Sequence, residues 1–272
     1  MDFLFVGCEV FHNAKSKIYP NGTIATTVCN RKIFKDENFE PSTKCVTKSK
    51  PQNKNNEVRA DSVQRSKRKV FDIGMMNFKE WKYFVTLTID GSKIDRNNTD
   101  EVHRILHNYL RNMVQRYNMK YLLVPEYHSD GTAIHCHMLC CGDFPIVDSG
   151  TVYIPGFDKP VRLETALKKC SDKEKWRIVY NLPQWNYGFS TAVKLYGDIE
   201  NAIKYIIKYV TKDSKKIFGN FYLAGGKDLI RKVPYKVHDI DFDNLEAIQY
   251  DVIEANMSFK YINEKKGVET NE

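Results

Sequence analysis

The sequence has no apolar run approaching the ~20 residues that a membrane-crossing helix needs. Its first apolar stretch, FLFV at 3–6, is too short for a secretion signal and lacks a basic flank. The seven cysteines are odd in number and irregularly spaced, so they spell out no disulfide framework. These absences lead us to expect a cytosolic chain with reduced thiols. There is no internal repeat. AGGKDL at 224–229 lacks the spacing of a phosphate-binding Gly-Lys loop, so ATP-driven strand separation would fall to another protein.

What is present is a 272-residue chain with 42% hydrophobic and 12% aromatic residues, enough to bury a substantial core. The net charge of +8 is unevenly spread. Residues 44–69 carry nine Lys/Arg against Glu57 and Asp61, a balance of +7, which suits a polyanion or a solvated linker. Arg65, Lys67, Arg68 and Lys69 are the densest part of this run and our candidate DNA-backbone contacts.

We divide the chain into an N-terminal extension and basic linker (1–58), a central domain (59–226) and a C-terminal extension (227–272). FLFVGCEVF and GTIATTVCNRKIF read as two weak strands, and a basic helix runs to about Asn77 with Asp61 as its cap. WKYFVTLTID reads as a strand ending at Asp90-Gly91. The next segment places Val102, Ile105, Leu106, Tyr109, Leu110 and Met113 on one helical stripe, capped by Thr99. KYLLVPEYH and TAIHCHMLCCG read as strands joined by a Ser129-Asp130-Gly131 turn. A helix is expected around 163–181, a strand in YGFSTAVKLYG, a helix from 199, strand fragments after Phe218 and a helix near 243–255. Strand, helix and hairpin in this order predict an α+β fold with helices on an antiparallel sheet.

Two segments bear chemistry. In AIHCHML, His135 and His137 are two apart and project from one face of a strand, while Cys136 points the other way. Glu126, on the preceding strand, comes alongside across the hairpin. Two imidazoles and a carboxylate leave coordination positions open, as a catalytic ion requires. His128 is a further candidate ligand. His135, Cys136, His137, Cys140 and Cys141 as a structural zinc set conflict with strand alternation. His103 and His107, four apart on the polar side of a helix, read as solvent-exposed.

In NAIKYIIKYVTKD, Ile199, Ala202, Ile203, Ile206 and Val210 form an apolar stripe. Tyr205 lies opposite, Tyr209 at the border, and each is followed three residues later by Lys208 or Lys212. Phenols four apart share a helical face. A phenol, with an ordinary pKa near 10, attacks phosphorus only with help from a neighbouring cation. A solvated Tyr/Lys surface has the same pattern.

FVTLTID, the Glu126…His135-Cys136-His137 hairpin and YIIKYVTK, in that order, resemble the three motifs of the HUH endonuclease superfamily. The paired tyrosines resemble the rolling-circle replication initiators (Rep) of small phages and some plasmids. The resemblance covers roughly 60–226 and implies a five-stranded antiparallel sheet flanked by helices. It implies His135, His137 and Glu126 as ligands of Mg²⁺ or Mn²⁺. It also implies Thr86 and Thr88 on the adjacent strand as site supports or DNA contacts. Tyr205 and Tyr209 would be nucleophiles assisted by Lys208 and Lys212. The implied function is nicking and rejoining of single-stranded origin DNA in a bacterial host cytoplasm, alongside host helicase and polymerase. A transposase or relaxase would share this chemistry. A non-catalytic zinc or DNA-binding protein is the alternative from another class.

Overall fold

The computed structural model describes residues 10–36, 60–128, 133–197, 199–210, 216–243, 252–255 and 259–265. The chain forms two compact units, Glu57–Arg231 and the paired segments Met1–Asn56 and Lys232–Glu272. Among the described residues, no helix is long and apolar enough to cross a membrane.

The Glu57–Arg231 unit runs α1 (Ala60–Met76), β1 (Tyr83–Thr88), α2 (Thr99–Tyr117), β2 (Lys120–Tyr127), β3 (Ile134–Cys141) and β4 (Val147–Tyr153). It continues through β5 (Val161–Arg162), α3 (Leu163–Lys169), β6 (Arg177–Asn181), β7 (Ser190–Lys194), α4 (Ile199–Tyr209) and β8 (Leu223–Gly225). This is an α+β unit whose wholly antiparallel sheet has the order β8-β2-β3-β1-β7-β6-β4-β5.

Eight strands replace the five that the resemblance implies. The additions come from short, largely polar edge segments whose alternation is weak. In VDSGTVY and RIVYN only Val152 and Val179 are fully buried, yet the two segments pair along their length. The helix expected around 163–181 stops at Lys169, because Cys170 turns extended (φ −144°, ψ 105°) and Asp172 caps a short 3₁₀ turn, Lys173–Lys175. α2 is capped by Asn98, one residue before the expected Thr99. The Asn98 side chain accepts from the Glu101 N–H, the reach that an N-cap requires. The helix α1 begins at Ala60, ahead of the expected Asp61 cap.

The two sheet faces bury different things. Val85, Leu87, Leu123, Ile134, Cys136, Met138 and Cys140 meet the apolar stripe of α2 in one core. The opposite face of β2 and β3 is covered by α4, and α1 packs on α4. That second packing is close. A Cβ built on Gly74 of α1 would stand 2.9 Å from Cγ2 of the buried Ile203 on α4. At Gly188 a Cβ would fall 2.1 Å from the Thr88 carbonyl oxygen, so only glycine lets this loop lie across the end of β1. Trp185 Nε1 fastens the same carbonyl at 2.9 Å.

The other unit contains its own five-stranded antiparallel sheet, ordered Tyr235–His238, Ala14–Ile18, Thr23–Cys29, Phe259–Lys265, Val252–Ala255. Asn13 binds the two chain segments through reciprocal hydrogen bonds with the Ile240 backbone, 2.6 and 2.8 Å. Val252–Ala255 is strand rather than the tail of a helix near 243–255, consistent with its β-branched Val-Ile pair. Residues 244–251 lie outside the described residues, as does the Ser129-Asp130-Gly131 turn.

Candidate active site

Strand register assembles the site. Thr86 pairs with His137 and Thr88 with His135 across β1 and β3, while His135 pairs with Glu126 across β3 and β2. Alternation then puts Thr86, Thr88, His135, His137 and Glu126 on one face. Cys136 and Cys140 point into the α2 core instead, so they do not share a ligand set with the histidines. Burial pushes the Cys136 thiol up to about 12 and raises Cys140 as well.

Glu126 and His137 are 5% and 8% exposed, and His137 Nε2 meets Glu126 Oε2 at 3.0 Å. On the other ring nitrogen, Thr86 Oγ1 lies 3.2 Å from Nδ1. Thr88 makes a different connection: its hydroxyl exchanges hydrogen bonds with the Phe189 backbone at 3.0 and 3.2 Å. The exposed His128 ring lies 4.8 Å from that of His135. His103 and His107 are apart from all of these on α2, and His103 is half-buried, stacked on Phe218 at 4.9 Å.

Among the described residues, no group of three His, Cys, Asp or Glu side chains is gathered tightly enough to hold a metal. The donor set still suits a divalent cation. A buried carboxylate and imidazole face each other, with a second imidazole in register beside the carboxylate.

The helix α4 brings the tyrosines to this pair. Ile203, Ile206 and Val210 are buried, which fixes the rotation of the helix. Tyr209, at the border of that stripe, stacks on His137 with ring centroids 3.9 Å apart and planes 17° apart. Its hydroxyl donates to the Tyr205 oxygen, 2.5 Å away. Tyr205 is 48% exposed. Phe84, on the same sheet face, stacks against His137 at 6.0 Å and meets Tyr205 edge-on at 5.4 Å. The phenol of Tyr209 is raised well above its ordinary value. Burial is the main cause, followed by its hydrogen bond to Tyr205 and by the charges of Tyr205 and Glu126. Tyr153 of β4 is raised too, by burial and then by Tyr205.

Lys208 is exposed on α4, and Lys212 lies outside the described residues. Arg65, Arg68 and Lys69 are exposed on α1 and Lys67 is half-exposed, on the helix that packs against α4. The part of the basic run from 44 to 59 lies outside the described residues. Sequence reasoning missed Phe84 and Tyr153. Phe84 had a signal, since it stands two residues before Thr86 and so on its face; Tyr153 had none without the pairing of β4.

Residues 82–214 match the family model of replication-associated protein ORF2/gene 2 protein. The match supports a replication-initiator role. The matched span starts beside β1 and ends beyond α4, so it holds Thr86, Glu126, His137 and both tyrosines. No curated protein and no solved structure matches the chain.

Proposed function

We propose that the protein nicks and rejoins single-stranded origin DNA in rolling-circle replication through a covalent 5′-phosphotyrosine. The observation that carries this reading is the stacking of Tyr209 on His137 at 3.9 Å, with Tyr205 hydrogen-bonded beyond it. Two phenols are thereby held against an imidazole–carboxylate pair. His135, His137 and Glu126 are the residues that would hold Mg²⁺ or Mn²⁺, and the ion, when bound, would draw negative charge off the scissile phosphate.

The Tyr205 oxygen attacks phosphorus. An O–P bond to tyrosine forms, the P–O3′ bond breaks, the phenol gives up its proton, and the departing 3′ oxygen gains one. One phosphodiester replaces another, so rejoining needs no ATP. A phenol at neutral pH is a weak nucleophile. Here the Tyr209 hydroxyl donates to the Tyr205 oxygen and so stabilises charge developing there, with Lys208 and Lys212 as cationic assistance. We assign the first cleavage to Tyr205, which is the more exposed phenol and the acceptor of that bond. Tyr209 then cleaves the regenerated site, and the released 3′-OH attacks the Tyr205 linkage to close the circle. Arg65, Lys67, Arg68 and Lys69 hold the DNA backbone, and a host helicase and polymerase supply unwinding and synthesis.

The test is incubation with a single-stranded origin oligonucleotide and Mn²⁺, with denaturing gels and mass mapping of the modified residue. Tyr205→Phe should abolish the first adduct. Tyr209→Phe should keep one cleavage but lose circularisation. A covalent adduct on the Tyr205→Phe/Tyr209→Phe double variant ends the proposal. Tight stoichiometric Zn²⁺ without nicking would favour a binding protein.

A further inference from the structure

Beside the tyrosine helix, the ends of β4, β6 and β7 enclose a cleft of about 550 Å³ that the strand-transfer chemistry does not use. This is within the size range of small-ligand sites. Three aromatic side chains line it: Tyr153, Trp176 and Tyr196. Tyr196 is 78% exposed, an unusual state for so large an apolar surface unless something covers it. Three cations join them, Lys175, Arg177 and Lys194, against the single carboxylate of Glu174.

The cations are placed by structure rather than left to drift. Arg177 stands opposite Tyr153 in the β6–β4 register. Lys194 Nζ lies 5.0 Å from the Tyr180 ring centroid, and Lys175 is paired with Asp172 at 3.0 Å. Tyr153 connects the cleft to the site, because its phenol lies close enough to Tyr205 and Tyr209 to feel their charge. Flat apolar rings interleaved with cations are what a single strand needs: a face for each base and a charge for each phosphate. A duplex, with its bases already stacked, offers no such face.

We propose that this cleft seats an unpaired base and its phosphate from the DNA strand flanking the scissile bond, with Tyr196 as the stacking surface and Arg177 as a phosphate contact. The inference rests on the strand-transfer reading for its choice of DNA, but it is read by binding alone. Anisotropy of a fluorescein-labelled oligothymidylate would be measured on the full chain carrying Tyr205→Phe and Tyr209→Phe, which removes covalent capture from the signal. Added Tyr196→Ala should weaken binding about 5- to 150-fold, the effect of losing one stacked base, while Tyr196→Phe should stay within about twofold. Arg177→Gln should lower the salt dependence by about one phosphate contact, a slope change of ~0.7 for a single strand. Tyr196 is exposed, so its loss leaves the fold intact. Parental affinity in Tyr196→Ala, or an unchanged slope in Arg177→Gln, overturns the proposal. Failure of the strand-transfer reading would appear instead in the adduct assay and leave these binding results unaffected.

Discussion

Gly74→Val adds three carbons at the point where α1 touches α4, and the first of them would already stand 2.9 Å from Ile203 Cγ2 and 3.0 Å from Cγ1. Ile203 is fully buried and has no open space to retreat into. Overpacking of this kind costs about 1–3 kcal/mol, offset by only a few tenths from valine's better helix propensity than glycine's. We therefore expect a net destabilisation of about 1–3 kcal/mol in urea unfolding. The effect on chemistry should be larger than this suggests, because α4 carries both phenols and a displacement of about 1 Å at reacting groups can cost ~100-fold. The cycle is closed with Ile203→Ala, which removes three carbons from the same spot. Alone it should cost about 2–5 kcal/mol through its cavity. Combined with Gly74→Val it should cost less than the sum, and adduct formation should partly return. Strict additivity in stability, with wild-type adduct rates for Gly74→Val, would refute the idea that this contact sets the position of the tyrosines.

Two other perturbations address the sheet. Thr86→Val keeps the shape of the side chain but removes the partner of His137 Nδ1. By analogy with other residues that orient metal-binding histidines, it should lower activity or metal affinity about 10- to 100-fold, read as a raised Mn²⁺ requirement for adduct formation. Thr88→Val, whose lost hydroxyl had bonded to the Phe189 backbone rather than to a histidine, should leave the Mn²⁺ requirement unchanged. Cys136 gives a pH prediction. Its thiol is raised from 9.0 to about 12 by burial, so the folded state holds a proton that the unfolded state releases. The stabilisation is complete below pH 9 and is lost as pH rises through 9 to 12. At pH 10 the loss is about 1.4 kcal/mol. Cys136→Val should remove that part of the alkaline destabilisation, and identical pH profiles for the two proteins would show that the thiol is not held protonated.

Elements whose signal is local were legible in the amino-acid sequence alone. The strand at Tyr83–Thr88, the α2 stripe and the strands bearing Glu126 and His135 each follow from a period read within about ten residues. The features that escaped depend on distant partners. Nothing in VDSGTVY marks it as strand until Arg177–Asn181 lies beside it. The sheet joining Thr23–Cys29 to Phe259–Lys265 pairs residues more than 200 apart in sequence, beyond the reach of any window. Asn98 and Thr99 are both good caps by composition, and the choice between them rests on which oxygen reaches the Glu101 N–H. For the candidate site, residue types and their order are visible in the sequence. The stacking of Tyr209 on His137 and the wedge of Phe84 between His137 and Tyr205 are tertiary facts.

The two tyrosines look equivalent in YIIKY, but the fold makes them different, and the difference bears on how a pair of nucleophiles is used. The apolar stripe of α4 turns Tyr209 inward, where its ring covers His137 and burial holds its proton. The same rotation leaves Tyr205 half in solvent, reachable by a strand, with its oxygen already accepting a hydrogen bond. A phenol kept protonated beside another can lend that proton as a hydrogen bond while its neighbour attacks. Once Tyr205 is esterified its oxygen no longer accepts on the same terms, and the Tyr209 hydroxyl is released from that role. An order of use is thereby encoded by one residue's position on a helical wheel. The raised phenol of Tyr209, which looks like a poor nucleophile, is on this argument what keeps it silent during the first cut.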